Sequence, residues 1–225
     1  MKNFSVKVLC EIAIFAAIGF VLDILQGGIW KGAFANGGSI GLAMVPVFII
    51  SYRRGLVPGI LCGLLLSLVQ MLGGIYVING SSMDGWKQTF GPFLQIMLDY
   101  VLAYTVVGLA GAFAKPYWNA DKFGKKALFI IIGCLIGGML KYLCHSLSGV
   151  FFWPGEMWGI SGAAYSWLYN GLYMIPNIIV CTVVMVLIAK FYPMFIDINI
   201  NSHREMGYEL KDEKTSDEDI KEDIE

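Results

Sequence analysis

Of 225 residues, 57% are hydrophobic and only 15% are charged, with 16 basic against 17 acidic side chains. That is too little charge to clothe a soluble domain of this length. The chain reads as an all-α integral membrane protein.

A helix that crosses the hydrocarbon core needs about 20 apolar residues. Val8–Leu25 is the first candidate, and Lys2 and Lys7 precede it without a small-residue cleavage pattern, so it is expected to remain as a span. Ser39–Ser51 is the second. It is short for a span, so it must borrow from Asn36-Gly37-Gly38 or be partly unwound. Leu56–Leu72 follows, then a loop from Gly73 to Pro92, then Phe93–Ala114, Ala127–Phe152 and Ala163–Lys190. These predict a six-transmembrane-helix bundle over residues 1–200. Residues 201–225 carry ten of the 17 acidic side chains, and no aromatic follows Tyr208. They are expected to form a disordered acidic cytoplasmic tail.

Lysine and arginine set the orientation. With the N-terminus inside, Lys2, Lys7, Arg53, Arg54, Lys115, Lys122, Lys125, Lys126, Lys190 and the basic residues of the tail all fall on the cytoplasmic side. Lys31 and Lys87 fall outside, and Lys141 falls within a span. The predicted topology is N-in and C-in. The five cysteines all lie in apolar runs without CxxC or metal-type spacing, so neither disulfides nor a metal site is implied.

Charge inside a membrane costs about 2.5–3.5 kcal/mol per Lys or Asp at a helix centre. Asp99, Lys141 and His145 therefore mark a candidate site, whereas Glu11 and Asp23, nearer helix ends, read as ordinary interfacial residues. Lys141 and His145 are one turn apart and share a helix face. At about 1.5 Å per residue, Asp99 and His145 both lie roughly 10 Å below the outer surface. Two roles are open: an Asp99–Lys141 ion pair that joins two helices, or a ligand pocket in which Lys141 also neutralises Asp99.

Tyr76, Tyr100, Trp153, Tyr165 and Asn170 fall in the same outer half. Aromatic faces beside a carboxylate suit a flat organic cation, each cation–π contact contributing about 0.5–2 kcal/mol. An enzyme is not indicated. The chain has two histidines, one of them in the tail, and no HExxH; Ser148 is within helical reach of His145, but no oxyanion or Gly-x-Ser-x-Gly context accompanies it. It has no P-loop for ATP either. In the first span, Ala13, Ala16, Ala17 and Gly19 form a stripe of small residues, suited to internal packing or to docking on a partner in the membrane.

The blocks "EIAIFAAIGFVLD", "GLAMVPVFIISYRRG", "LDYVLAYTVVGLAG", "LKYLCHSLSGVFFW" and "GAAYSWLYNG" together resemble the thiamine-specific substrate-binding (S) component of energy-coupling factor transporters, from about Val6 to Tyr192. The resemblance implies a multi-pass protein of the cell membrane that captures thiamine at the outer face. It would pass the vitamin on with a transmembrane coupling protein and two ATPase subunits, with no cofactor of its own and no nucleic acid as partner. By motif it implies thiamine contacts from Asp99, Tyr100, His145, Trp153, Tyr165 and Asn170, with Tyr76 and Lys141 beside them, and docking through Ala13 and Ala17. Gly37 and Gly41 stand where some relatives have Trp and Glu, leaving Trp30 or Trp86 as substitutes for the aromatic wall. Another vitamin or cationic heterocycle, or transport without ATPase partners, are the alternatives.

Overall fold

In the computed structural model, which describes residues 5–34 and 37–198, the Ser5 hydroxyl starts the first helix by accepting the Val8 amide at 3.4 Å. Helix α1 then runs Val6–Ile29 without interruption. Helix α2 is Val45–Arg54, with Pro46 in its first turn, where a missing amide costs nothing. Only Gly55 separates α2 from α3 (Leu56–Leu72), and its φ of 91° makes a reversal that other residues adopt only with strain. Helix α4 (Trp86–Trp118) is long and irregular, α5 is Phe123–Phe152 and α6 is Gly162–Phe191. A small hairpin joins the last two, pairing β1 (Glu156–Met157) with β2 (Ile160–Ser161).

Four of these helices, α1, α4, α5 and α6, are long and apolar enough to cross a membrane. Helix α3 keeps the limits expected for it and is apolar, but at 17 residues it is shorter than these four. The second expected span differs most, since residues 37–44 are not helical and only ten residues of helix follow. Gly37 and Gly38 adopt φ of 83° and 121°, which helix geometry excludes. The sequence from 201 onward, with the expected acidic tail and His203, lies outside the described residues.

Every residue from Val45 to Tyr52 is buried, so α2 is the axis around which the others pack. Its Phe48 belongs to the same buried core as Leu66 of α3, Val107 of α4 and Ile130 of α5, all at most 1% exposed. Glycines set how near α3 and α4 come. A Cβ on Gly63 would strike the Tyr104 carbonyl, and one on Gly108 would strike the backbone of Gly59. In lipid, where apolar burial alone does not drive helices together, this backbone approach supplies dispersion contacts instead. The outward faces of α1 and α6 carry Ile14, Val21, Ile24, Ile175, Ile179 and Val183, each exposed as a lipid-facing residue should be.

The small stripe of α1 divides. Ala16 is buried and Gly19 lies against Leu66, while Ala13 and Ala17 face outward. Glu11 is not the solvated residue expected from its position. It bonds Arg54 at 2.6 and 2.7 Å and Arg53 at 3.2 Å, and Arg53 also donates to the Met194 carbonyl. Lys126 pairs with Asp197 at 3.1 Å, and the Trp118 indole donates to the Tyr52 carbonyl. These contacts gather Arg53 and Arg54 of α2 and Lys126 of α5 at one end of the bundle. The polar cavity lies at the other.

Candidate functional site

Asp99 and Tyr100 sit in a π turn, Met97–Val101, inside α4. Such a turn inserts an extra residue, and the register of all that follows rotates. The Val101 carbonyl beside it accepts from the Thr105 hydroxyl at 2.6 Å and from Ser67 of α3 at 3.0 Å, so the irregular turn leaves this group paired. The displaced register carries the Asp99 carboxylate into the bundle.

Three elements hold that carboxylate. Gln95, one turn earlier, donates to Oδ2 at 3.1 Å, and the Trp153 indole N–H, just past α5, donates to the same oxygen at 3.1 Å. His145 Nδ1 lies 3.6 Å from Oδ1. The segment after α3 is strapped to the same group. Gln95 also donates to the Tyr76 carbonyl at 3.2 Å, the Tyr76 amide donates to the Tyr100 hydroxyl at 2.9 Å, and the Tyr76 ring lies 5.2 Å from that of Trp153.

Helix α6 provides the opposite wall. Tyr165, Tyr169 and Tyr173 recur every four residues, and their rings follow one another at 5.6 and 6.1 Å. The Tyr173 hydroxyl donates to Asn170 Oδ1 at 2.5 Å, and Asn170 Nδ2 donates to the Ser166 carbonyl at 2.9 Å. Asn170 is thereby fixed from both ends. Tyr169 donates to the Gly37 carbonyl at 2.6 Å, closing the unwound segment before α2 over this face.

These side chains enclose a cavity of about 740 Å³. Asp99, Tyr100, His145, Trp153, Tyr165, Asn170, Tyr76 and Lys141, the eight residues expected at a binding site, all line it. Ala13 and Ala17 do not; they lie on the outer face of α1. The sequence reading passed over Gln95, Tyr169, Tyr173 and Asn177. The four-residue spacing of the tyrosines was the available signal for two of them.

Three expectations need correction. Lys141 is not paired with Asp99. Its ammonium lies 3.2 Å from the centre of the Tyr104 ring, and among the described residues it makes no ion pair. Asp99 is taken up by partners nearer the end of α5, while Lys141, a turn deeper, meets the face of α4 that the π turn has rotated toward it. Asp23 is not an interfacial bystander, because α1 runs a full turn beyond Leu25; it lines the cavity and accepts the Tyr104 hydroxyl at 2.8 Å. Neither Trp30 nor Trp86 lines the cavity. Trp30 bonds the Ile40 carbonyl and packs on Phe34, and Trp86 sits half exposed against Phe151.

A carboxylate fixed by two N–H donors, set among aromatic faces in a partly enclosed site, is equipped to hold a flat organic cation. No group of three or more His, Cys, Asp or Glu side chains that could hold a metal occurs among the described residues.

Known proteins agree with that chemistry. The family model described as thiamine transporter protein matches residues 9–197. The thiamine transporter ThiT of Bacillus subtilis is 33% identical over 190 residues, covering 82% of this chain and 91% of that protein. The ThiT of Lacticaseibacillus paracasei is 28% identical over 199 residues, covering 84% and 90%. A solved structure of ThiT from Listeria monocytogenes superposes with a TM-score of 0.69 at 27% identity, over 84% of this chain and 96% of that one. With the match extending through every helix from α1 to α6, the chain belongs to the thiamine transporter protein family.

Proposed function

We propose that this multi-pass membrane protein is the thiamine-capturing subunit of an energy-coupling factor importer. Its cavity opens to the outside, and six crossings place both termini in the cytoplasm. The clustering of Arg53, Arg54 and Lys126 at the end opposite the cavity supports that orientation. Thiamine carries a permanent positive charge on its thiazolium ring. Asp99 supplies the opposite charge in a low-dielectric site, and Trp153, Tyr76 and the tyrosines of α6 supply surfaces for its rings. Asp99, Tyr100, His145, Trp153, Tyr165, Asn170, Tyr76 and Lys141 are the residues assigned to binding. The observation that carries the assignment is the Asp99 carboxylate fixed jointly by Gln95 and Trp153 at an aromatic-walled cavity.

The chain itself needs no cofactor. A transmembrane coupling protein docked through Ala13 and Ala17, with two ATPase subunits beneath it, would supply the driving force. Transport is then reorientation of the loaded bundle against that partner.

The test is a titration of the purified, detergent-solubilised protein from thiamine-starved cells, followed by tryptophan fluorescence. Trp153 touches the anionic centre, so occupancy should quench it. Saturable quenching by thiamine at low-micromolar concentration or below, with riboflavin and biotin silent, is the expected result. No response to thiamine, with saturation by another vitamin, overturns the assignment.

A further inference from the structure

The cavity has a second polar pole, built largely from α1, that the binding of a cation at Asp99 leaves unused. Asp23 Oδ1 accepts the Tyr104 hydroxyl at 2.8 Å and Gln26 Nε2 at 3.2 Å. Gln26 is itself immobilised, donating to Ser39 Oγ at 2.9 Å and accepting the Ala43 amide at 3.2 Å. The absence of a side chain at Gly41 makes this possible, because a Cβ there would run into Gln26. Asp23 thus projects into the cavity with one oxygen committed. Its other oxygen receives no hydrogen bond from the described residues. Across the Tyr104 ring lies Lys141, 5% exposed, lining the same cavity and with no hydrogen-bond acceptor among the described residues.

The pole therefore offers one free carboxylate oxygen and a set of unused ammonium donors, with opposite charges that balance. Charge balance disfavours a second cation. Paired donor and acceptor suit a neutral heterocycle that carries an amino group beside a ring nitrogen. Buried polar groups without partners are costly, so a ligand that completes their bonds gains correspondingly. The spacing fits as well. Lys141 and His145 are four residues apart on α5, about 6 Å along the axis, comparable to the separation of two rings joined by one carbon.

We propose that Asp23, oriented by Gln26 and Tyr104, accepts the exocyclic amino group of thiamine's pyrimidine ring while Lys141 donates to a ring nitrogen. This rests on the thiamine reading above and adds to it the residue that selects the second ring. Gln26 is a positioning residue; Asp23 touches the ligand.

The full-length protein in detergent is titrated with three probes. They are thiamine, its 4-oxo analogue (oxythiamine) and an N-methylated thiazolium alcohol lacking the pyrimidine. In the unsubstituted protein, oxythiamine should bind about tenfold or more weaker than thiamine, because a carbonyl oxygen then faces the Asp23 carboxylate. In Asp23→Asn, thiamine should weaken by about tenfold or more, the gap to oxythiamine should close, and the thiazolium fragment should bind as before. Equal affinity of the unsubstituted protein for thiamine and oxythiamine overturns the inference without any variant needing to fold. Parallel weakening of thiamine and the fragment in Asp23→Asn also overturns it, while leaving the thiamine reading intact. Failure of the unsubstituted protein to bind thiamine removes both.

Discussion

The indole of Trp153 donates its N–H to the Asp99 carboxylate at 3.1 Å, so a residue just past α5 and one in the π turn of α4 are fixed to each other on one wall of the cavity. The bond does two things. It keeps the carboxylate from rotating toward water, and it orients the indole face beside the position a cation would take. Charge and ring are preorganised together, which lowers the ordering cost of binding.

Asp99→Asn tests the charge. The amide retains shape but removes the negative pole; its oxygen can still accept from Gln95 and Trp153, which share one oxygen of Asp99, leaving the NH₂ group on the side of His145. Thiamine affinity should fall by about tenfold or more, equivalent to about 1.4 kcal/mol or more. Calorimetric titration measures it, and unchanged affinity would take Asp99 out of the site.

Trp153 separates ring from hydrogen bond. Trp153→Phe keeps an aromatic face but loses the N–H, whereas Trp153→Ala loses both. A hydrogen bond to a charged group contributes about 1.5–3 kcal/mol, part of which is already satisfied by Gln95. Phe should therefore weaken thiamine several-fold and Ala considerably more, with the fluorescence quench lost in both. Equal losses in the two variants would mean that the ring contributes little.

The opposite end of the bundle predicts a stability effect without a binding effect. Arg54 is 3% exposed and takes both oxygens of Glu11, so Glu11→Ala strands a nearly dry guanidinium from its carboxylate. Breaking one side of a buried pair costs about 3–5 kcal/mol, and the partial exposure of Glu11 places this case toward the low end. The thermal midpoint in detergent should drop by several degrees, while the thiamine affinity of the folded protein stays the same. A changed affinity would mean that the two ends are coupled.

Much of the cavity is legible in the sequence because its members are unlike their surroundings. An Asp, a Lys and a His within apolar runs stand out, and the one-turn spacing of Lys141 and His145 gives their common face. What the pattern could not supply was the partner of each. A regular helix from Phe93 to Ala114 puts Asp99 and Tyr104 on one register; the π turn inserts a residue between the start of the helix and Tyr104 and changes which neighbour each meets. Lys141 consequently lies over Tyr104 rather than beside Asp99. Asp23 was misjudged for a simpler reason. An apolar run that stops at Leu25 puts it at a surface, but α1 continues through the less apolar Gln26, Gly27 and Gly28 to Ile29, and Asp23 is drawn inside. The brevity of the second span was visible in its glycines; the closure of that unwound segment over α6 by Tyr169 was not.

The outer face of α1 carries the last prediction. Ala13 and Ala17 are exposed one turn apart, flanked by exposed Ile14 and Ile18, whereas their neighbours Ala16 and Gly19 are consumed by packing within the bundle. Small side chains on a lipid-facing stripe leave a shallow channel into which another helix can settle closely. Replacing both with Trp fills the channel from outside and touches neither the core nor the cavity. Ala13→Trp/Ala17→Trp should therefore fold and bind thiamine with unchanged affinity in detergent, yet support no thiamine accumulation when produced in cells with the coupling protein and ATPase subunits. Co-purification of those subunits should be lost in parallel. Uptake that persists in the double variant would place the docking surface elsewhere. Loss of thiamine binding would show instead that this face supports the pocket.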